Sequence, residues 1–247
     1  MKAMILAAGM GERLRPVTHH KPKALVPVAG RPMIEYPLLL LRHYGIQEII
    51  VNLHHLGEQI EAYLGDGAKL GVNIRYSREP ELLDTGGGLL KAKPFLADGT
   101  FVVINTDVLI DLSLEEVIAF HKSHRATATL VLRPDELADK YGSMEIDSEN
   151  RIYRFLQARR EDKKELSGTK LMFTGVQVLE PKVFEYMKID GAAQRFSTTK
   201  DVYPRMVVKD NVYGFRFDGF WQDVGTADRI KEAEDVLAHG KARLRYI

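Results

Sequence analysis

The sequence predicts an α/β fold built on a largely parallel sheet, and two patterns point to it. Short apolar runs of strand length alternate with amphipathic runs of helical spacing through residues 1–125. A strand that returns parallel to its neighbour needs such a crossover, and the crossover is right-handed. Gly9 and Asp107 each follow an apolar run, where the carboxyl ends of strands gather ligands in sheets of this kind.

Taken in order, Lys2–Ala7 opens the chain as a strand and Met33–Tyr44 follows as a helix. Glu48–Leu53 is a strand, Leu56–Leu64 a helix, Val72–Ser77 a strand, Leu89–Leu96 a shorter helix and Thr100–Thr106 a strand. Ser113 caps a helix that runs to about Ser123, with Glu115 and Glu116 favouring its first turn. The second half is less regular, with strands expected at Thr127–Leu132, Ser143–Ile146, Leu171–Leu179 and Val212–Phe217. The charged run Ala158–Lys170 reads as a solvated loop. Ala227–Leu237 forms the last helix, stopped by His239-Gly240, and Lys241–Ile247 is expected as a solvated tail. No repeat, low-complexity stretch or Pro/Ser-rich linker interrupts the chain, so one domain over 1–247 is expected, with halves 1–125 and 126–247.

Composition narrows the function classes. A hydrophobic content of 45% with 28% charged residues is that of an ordinary soluble globular protein. The 35 basic and 34 acidic side chains leave a formal charge of +1, which counts against a nucleic-acid partner. The absence of cysteine rules out disulfides and thiolate metal sites and fits a reducing compartment. With no signal-peptide pattern and no apolar run of membrane-spanning length, a cytoplasmic protein without a membrane partner is expected. Homo-oligomerisation is left open.

The chemistry gathers at the first strand. Gly9-x-Gly11 is followed by Glu12 and Arg13, then Pro16, Lys21 and Lys23. Glycines let backbone N–H groups approach a phosphate closely, and Arg13 and Lys23 can neutralise it. Two cations in one loop repel each other unless a polyanion lies between them, so the segment reads as a nucleoside triphosphate site. It is neither a dinucleotide fingerprint, whose third glycine is missing, nor a P-loop, whose G-K-[ST] is missing. Leu14 near the third glycine's place and Leu53-His54 after the next strand also count against a dinucleotide oxidoreductase.

The stretch Leu6-Ala7-Ala8-Gly9-Met10-Gly11-Glu12-Arg13-Leu14-Arg15-Pro16, with Pro22-Lys23-Ala24-Leu25-Val26-Pro27-Val28, resembles the signature of the sugar-1-phosphate nucleotidylyltransferases. The resemblance continues through Gly30-Arg31-Pro32, Asp84-Thr85-Gly86-Gly87-Gly88, Asn105-Thr106-Asp107 and Trp221-Gln222-Asp223-Val224-Gly225-Thr226, in the family's order and over nearly the whole chain. It implies a Rossmann-like three-layer nucleotidyltransferase domain with a mixed, mostly parallel sheet. The first half would bind nucleotide and the second half the sugar. The implied reaction joins an NTP and a sugar 1-phosphate to give an NDP-sugar and pyrophosphate, with Mg²⁺ as cofactor.

By that resemblance Arg13 holds the β- and γ-phosphates and Lys23 the α-phosphate, while Asp107 and Asp223 bind the metal. Arg15 and Lys21 are auxiliary or exposed, and Asp111 orders the loop after it. Leu6, Ala8, Gly9 and Gly11 lie against the nucleotide, and Glu79 takes the place that reads the base edge. Gly86 and Gly87 let the chain approach the nucleotide, and Tyr141-Gly142 resembles the sugar-contacting turn. A carboxylate at 79 can accept from guanine N1 and N2 or from uracil N3.

Three departures bear on the sugar. Ala158 stands where the sugar-phosphate lysine is expected, so Arg159 or Arg160 is the candidate replacement. Phe173 replaces an asparagine, and Thr106 replaces the glycine before the metal aspartate. These features resemble the compact branch that includes mannose-1-phosphate guanylyltransferases and N-acetylmuramate 1-phosphate uridylyltransferases. Alternatives are a catalytically silent nucleotide-sugar-binding regulator and a cytidylyltransferase acting on a phosphorylated alcohol. The stretch after Leu237 is too short for the acyltransferase domain of some relatives. His19-His20 and His54-His55 are expected to structure loops or face solvent, and Trp221, Phe215, Phe217 and Phe220 to pack in the core.

Overall fold

Apolar side chains on both faces make Lys2–Leu6 a buried strand, β1, and the same holds for Glu48–Leu53 further on. The computed structural model describes residues 1–135, 138, 142–161, 169–187 and 195–247. In chain order β1 is followed by β2 (Pro27–Val28), β3 (Arg31–Pro32), α1 (Glu35–His43), β4 (Glu48–Leu53), α2 (Gly57–Leu64) and β5 (Asn73–Arg78). Next come α3 (Asp84–Lys91), α4 (Lys93–Leu96), β6 (Phe101–Asn105), β7 (Val108–Ile110), α5 (Leu114–Ser123) and β8 (Ala128–Arg133). Then β9 (Met144–Ile146), β10 (Ile152–Phe155), β11 (Ala158–Arg159), β12 (Thr169–Leu179), α6 (Tyr203–Lys209), β13 (Val212–Arg216), β14 (Trp221–Asp223) and α7 (Ala227–Ala238) complete the chain.

Two compact units emerge, interleaved in sequence rather than divided near residue 125. The first comprises Met1–Leu82, Ile104–Leu112 and Gly219–Ile247. The second comprises Leu83–Val103 and Ser113–Asp218.

In the first unit β4 lies between β1 and β5, parallel to both, with Leu6 opposite Asn52 and Asn52 opposite Ser77. Strands buried on both faces read as continuous apolar runs, which is why Met4-Ile5 and Ile49-Ile50-Val51 are all buried. Helix α1 buries Leu38, Leu39, Leu40 and Leu41. It starts at Glu35 rather than Met33, which keeps Pro37 in the first turn, where its missing N–H costs nothing. The C-terminal segment is not a solvated tail. Leu244 and Tyr246 are buried, and Arg245 forks onto Asp111 at 3.0 Å through both Nε and NH2. The Asp111 carboxylate therefore holds the chain's last turn, accepting also from Arg245 N at 3.0 Å.

In the second unit β8 pairs antiparallel with β12 and parallel with β13, and β12 continues antiparallel to β9. β10 and β11 extend this part of the sheet. Parallel and antiparallel ladders make the sheet mixed, as the Rossmann-like α/β expectation requires. The expected helix Leu89–Leu96 is two helices, because Pro94 can sit only near a helix start and forces a new one at Lys93. The glycine triplet lies inside α3, although each glycine weakens a helix by about 1 kcal/mol relative to alanine. Ala158–Arg159 is a short strand, so only part of the expected charged loop is irregular, and residues 162–168 lie outside the described residues. Ser113 caps α5 as expected, its hydroxyl accepting from Glu116 N at 3.3 Å. Among the described residues no helix is long and apolar enough to cross a membrane.

His121 on α5 is buried in the second unit, its Nδ1 2.9 Å from Thr129 Oγ1 and its Nε2 3.1 Å from Glu180 Oε1. Burial lowers its pKa below the ordinary 6.5, although the Glu180 carboxylate pulls the other way. The unfolded chain therefore takes up this proton first as pH falls. Stability from this group is full above about pH 6.5 and is lost between there and the lower folded value. Denaturation midpoints at about pH 7.5 and pH 5.5 should separate more in the wild type than in His121→Gln; equal separations would refute this account.

Candidate active site

The turn that follows β1 is held from two sides. Leu6 O accepts from both Thr106 N (3.3 Å) and Thr106 Oγ1 (2.6 Å), and Ala7 N donates to Asn52 Oδ1 at 2.8 Å. Thr106 thus has a job that the expected glycine could not do: its hydroxyl ties the residue before Asp107 to the end of β1. Ala8 is buried just beyond, and nothing lies within 4 Å of a side chain built at Gly9. Gly11 adopts the left-handed conformation (φ +65°) at the start of the turn that carries Arg13. A Cβ at Gly11 would meet Thr18 Cγ2 at 2.8 Å and Lys23 Cβ at 3.0 Å, so glycine lets the Arg13 turn close onto the Lys23 segment.

The two expected metal aspartates meet through a short ladder. β7 pairs antiparallel with β14, placing Asp223 opposite Val108, and Val224 N donates to Asp107 O at 3.0 Å. Lys23 Nζ donates directly to Asp107 Oδ2. Arg13 spans both carboxylates, with NH2 3.8 Å from Asp107 Oδ2 and NH1 3.7 Å from Asp223 Oδ2. The first unit therefore assembles Arg13, Lys23, Asp107 and Asp223, drawn from three separate stretches of sequence, into one cluster. Lys23 is largely covered, whereas the Arg13 side chain is 53% exposed and within reach of an incoming anion.

Two participants were not singled out in the sequence. Arg229 NH1 donates to Asp223 Oδ2 from the first turn of α7, which Thr226 caps. A cation there opposes the helix dipole, so a carboxylate partner is what makes it tolerable. The signal available was the cap residue Thr226 three positions before an arginine and three after Asp223. Gly225 is the other: its N–H donates to Asp223 Oδ1 at 2.6 Å, and the Arg13 guanidinium lies against its Cα.

Other expected site residues fall elsewhere. Glu79 is buried beyond the end of β5, its Oε1 accepting from Asn52 Nδ2 at 2.8 Å. Gly86 and Gly87 belong to the second unit, where both N–H groups donate to Phe196 O at 2.9 and 3.2 Å. A Cβ at Gly86 would sit 2.9 Å from that oxygen and closer still to the Phe196 ring, so the close approach that this glycine permits is to Phe196. Gly142 is left-handed (φ +86°) and packs against Leu156, while Tyr141 lies outside the described residues. Arg160 does not present its guanidinium to a ligand: it donates to Val207 O and Asp210 O at 3.1 and 3.2 Å, at the end of α6. Arg159 pairs with Arg154 across β10 and β11. His54 and His55 structure loops, contacting Glu79 O (2.9 Å) and Thr18 O (2.7 Å). Trp221, Phe215, Phe217 and Phe220 are half-buried rather than core, because they lie on short or edge strands and their flanks.

A cluster of this charge pattern can take a polyphosphate by exchanging carboxylate for phosphate oxygens. A Gly225→Ala side chain would lie 2.7 Å from Asp223 Oδ1 and push Arg13 from its seat. Affinity for inorganic triphosphate, measured by calorimetry, should fall about tenfold, with folding stability changed by less than about 1 kcal/mol. Unchanged affinity would remove Gly225 from the site.

A family model described as nucleotidyl transferase matches residues 2–239. The chain is 38% identical over 252 residues to the N-acetylmuramate alpha-1-phosphate uridylyltransferase of Neisseria meningitidis, covering 98% of this chain and 100% of that protein. It is 37% identical over 239 residues to the UTP–glucose-1-phosphate uridylyltransferase of Synechocystis sp., covering 91% of this chain but only 60% of that longer protein. Among solved structures, HddC from Yersinia pseudotuberculosis complexed with GMP-PN superposes with a TM-score of 0.75 at 25% identity, covering 96% of this chain and 99% of that one.

Proposed function

The chain belongs to the nucleotidyl transferase family, and on that premise we propose that it transfers a nucleotidyl group from an NTP to a sugar 1-phosphate, releasing pyrophosphate. The observation that carries the reading is the cluster of Arg13 and Lys23 on Asp107 and Asp223 at the carboxyl end of the parallel strands. In the reaction a sugar-phosphate oxygen attacks the α-phosphorus. The bond from the α-phosphorus to its bridging oxygen breaks, and pyrophosphate leaves with the electron pair. The nucleophile is already an anion, so no general base is needed. Alignment and charge neutralisation are what the protein must supply.

Lys23 leaves Asp107 for the α-phosphate, where charge builds in the transition state. Arg13, more exposed, swings to the β- and γ-phosphates of the leaving group. Asp107 and Asp223 then carry oxygens suited to Mg²⁺, which takes one or two carboxylates and completes its shell with phosphates and water. When bound, the ion neutralises phosphate charge.

Leu6, Ala8 and Gly9 line the nucleoside side, with Glu79 as an acceptor for the base. Uracil and guanine each bring a ring N–H to such an acceptor, whereas cytosine and adenine bring a ring nitrogen that itself accepts. Uridylyl transfer to N-acetylmuramate 1-phosphate, the reaction named for the Neisseria relative, is favoured because this chain matches that protein over its whole length. Guanylyl transfer to mannose 1-phosphate is the competing pair, in line with the guanine nucleotide bound by HddC.

Pyrophosphate release should appear with Mg²⁺ and UTP or GTP against a panel holding N-acetylmuramate, mannose and glucose 1-phosphates. Lys23→Ala should lower kcat by about 10²–10³-fold, the scale of losing one transition-state donor. Nucleotide binding without any pyrophosphate would overturn the catalytic reading in favour of a silent nucleotide-sugar binder.

A further inference from the structure

Asn52 belongs to none of the chemistry above, yet it is a buried polar side chain with both ends of its amide engaged. It sits near the end of β4, only 3% exposed, opposite Leu6 of β1 and Ser77 of β5. Past Leu6 the first strand leaves the sheet, and Ala7 N–H finds its acceptor in the Asn52 side chain, Oδ1 at 2.8 Å. The other end of the same amide, Nδ2, donates to Glu79 Oε1 at 2.8 Å. One planar group thus bridges the ends of three neighbouring parallel strands.

We propose that Asn52 is a positioning residue for the nucleotide, acting through Ala7 on one side and Glu79 on the other. The proposal rests on the nucleotidyl-transfer reading for the identity of the ligand. Ala7 leads directly into Ala8 and Gly9, the backbone assigned to the nucleoside, and Glu79 is the acceptor assigned to the base. The separation of acceptor and donor in an amide is fixed, so neither the turn nor the carboxylate can shift without straining the other bond. The main chain of Glu79 is already anchored, its N–H to Leu53 O at 2.7 Å and its carbonyl to His54 Nδ1 at 2.9 Å. What Asn52 adds is the orientation of the carboxylate. Because its NH₂ end faces Glu79, it holds the carboxylate as an acceptor for a base that brings a ring N–H, and Asn52 becomes part of the discrimination of uracil or guanine, which carry that hydrogen, from cytosine, whose ring N3 itself accepts.

A double-mutant cycle tests this, with Asn52→Ala, Glu79→Ala and both together in the full chain. Asn52→Asp serves as a second variant, since it retains an acceptor for Ala7 but sets a carboxylate against Glu79, and its melting temperature is read beside its affinity. Dissociation constants for UTP, GTP and CTP come from calorimetry, and exchange of the Ala7 amide from NMR. Asn52→Asp should weaken UTP or GTP by about tenfold, equivalent to roughly 1.4 kcal/mol, while KM for the sugar phosphate stays within about threefold. Asn52→Ala should speed exchange at Ala7, and the double variant should cost no more than the worse single one, because the two residues act as a unit.

A purely structural asparagine predicts a different pattern: lower melting temperature, nucleotide affinity unchanged, and additive costs. That pattern overturns the proposal, as does unchanged exchange at Ala7 or failure of the wild type to bind any nucleotide. A wild type that binds nucleotide but releases no pyrophosphate overturns the catalytic reading alone, and the cycle on binding still judges Asn52.

Discussion

The first unit's chemistry depends on how two aspartates are kept beside three cations. Asp107 and Asp223 come together because β7 and β14 pair as a short antiparallel ladder, and Lys23, Arg13 and Arg229 settle on them. The pairs made by Arg13, whose side chain is half exposed, are each worth about 0–1 kcal/mol, so they do not hold the fold together. The buried parallel strands do that. The weakness of these pairs has a consequence: the carboxylates can hand Arg13 to a phosphate at little cost. Repulsion between Arg13 and Lys23, which from sequence argues for a polyanion between them, is relieved here by carboxylates.

The geometry of that exchange is set by main chain rather than by charge. Thr106 and Asn52 hold the end of β1 from either side, by hydrogen bonds to Leu6 O and Ala7 N. Gly11 and Gly225 matter for the space they leave, the first for Thr18 and Lys23, the second for the Arg13 guanidinium. A buried polar group left without a partner costs about 1–3 kcal/mol, several times the worth of an exposed ion pair. The site is therefore a rigid backbone frame carrying exchangeable side chains.

Elements with strong periodicity were legible. β1, β4 and α2 lie within one residue of their expected bounds, and the cap at Ser113 is where its chemistry put it. Elements defined by partners far away in sequence were not. Nothing local to Arg160 says that it will close the end of α6, and nothing local to Leu244 and Tyr246 says that they will be buried. The glycines of α3 carry no mark of Phe196. The short strands β7 and β14 are too brief for a period of two to register, although their pairing is what joins the two aspartates.

By itself the sequence determined the α/β class, the largely parallel run of its first strands and the identity of the charged residues at their ends. Those follow from local rules: burial on both faces of a strand, helical spacing in the crossovers, and a glycine turn where a strand stops. Only the tertiary structure decided which of those charges meet, that Arg229 and Gly225 join them, and that Asn52 links Ala7 to Glu79. Such contacts depend on the register between strands and on the path of the chain between them. No pattern within a single segment encodes either.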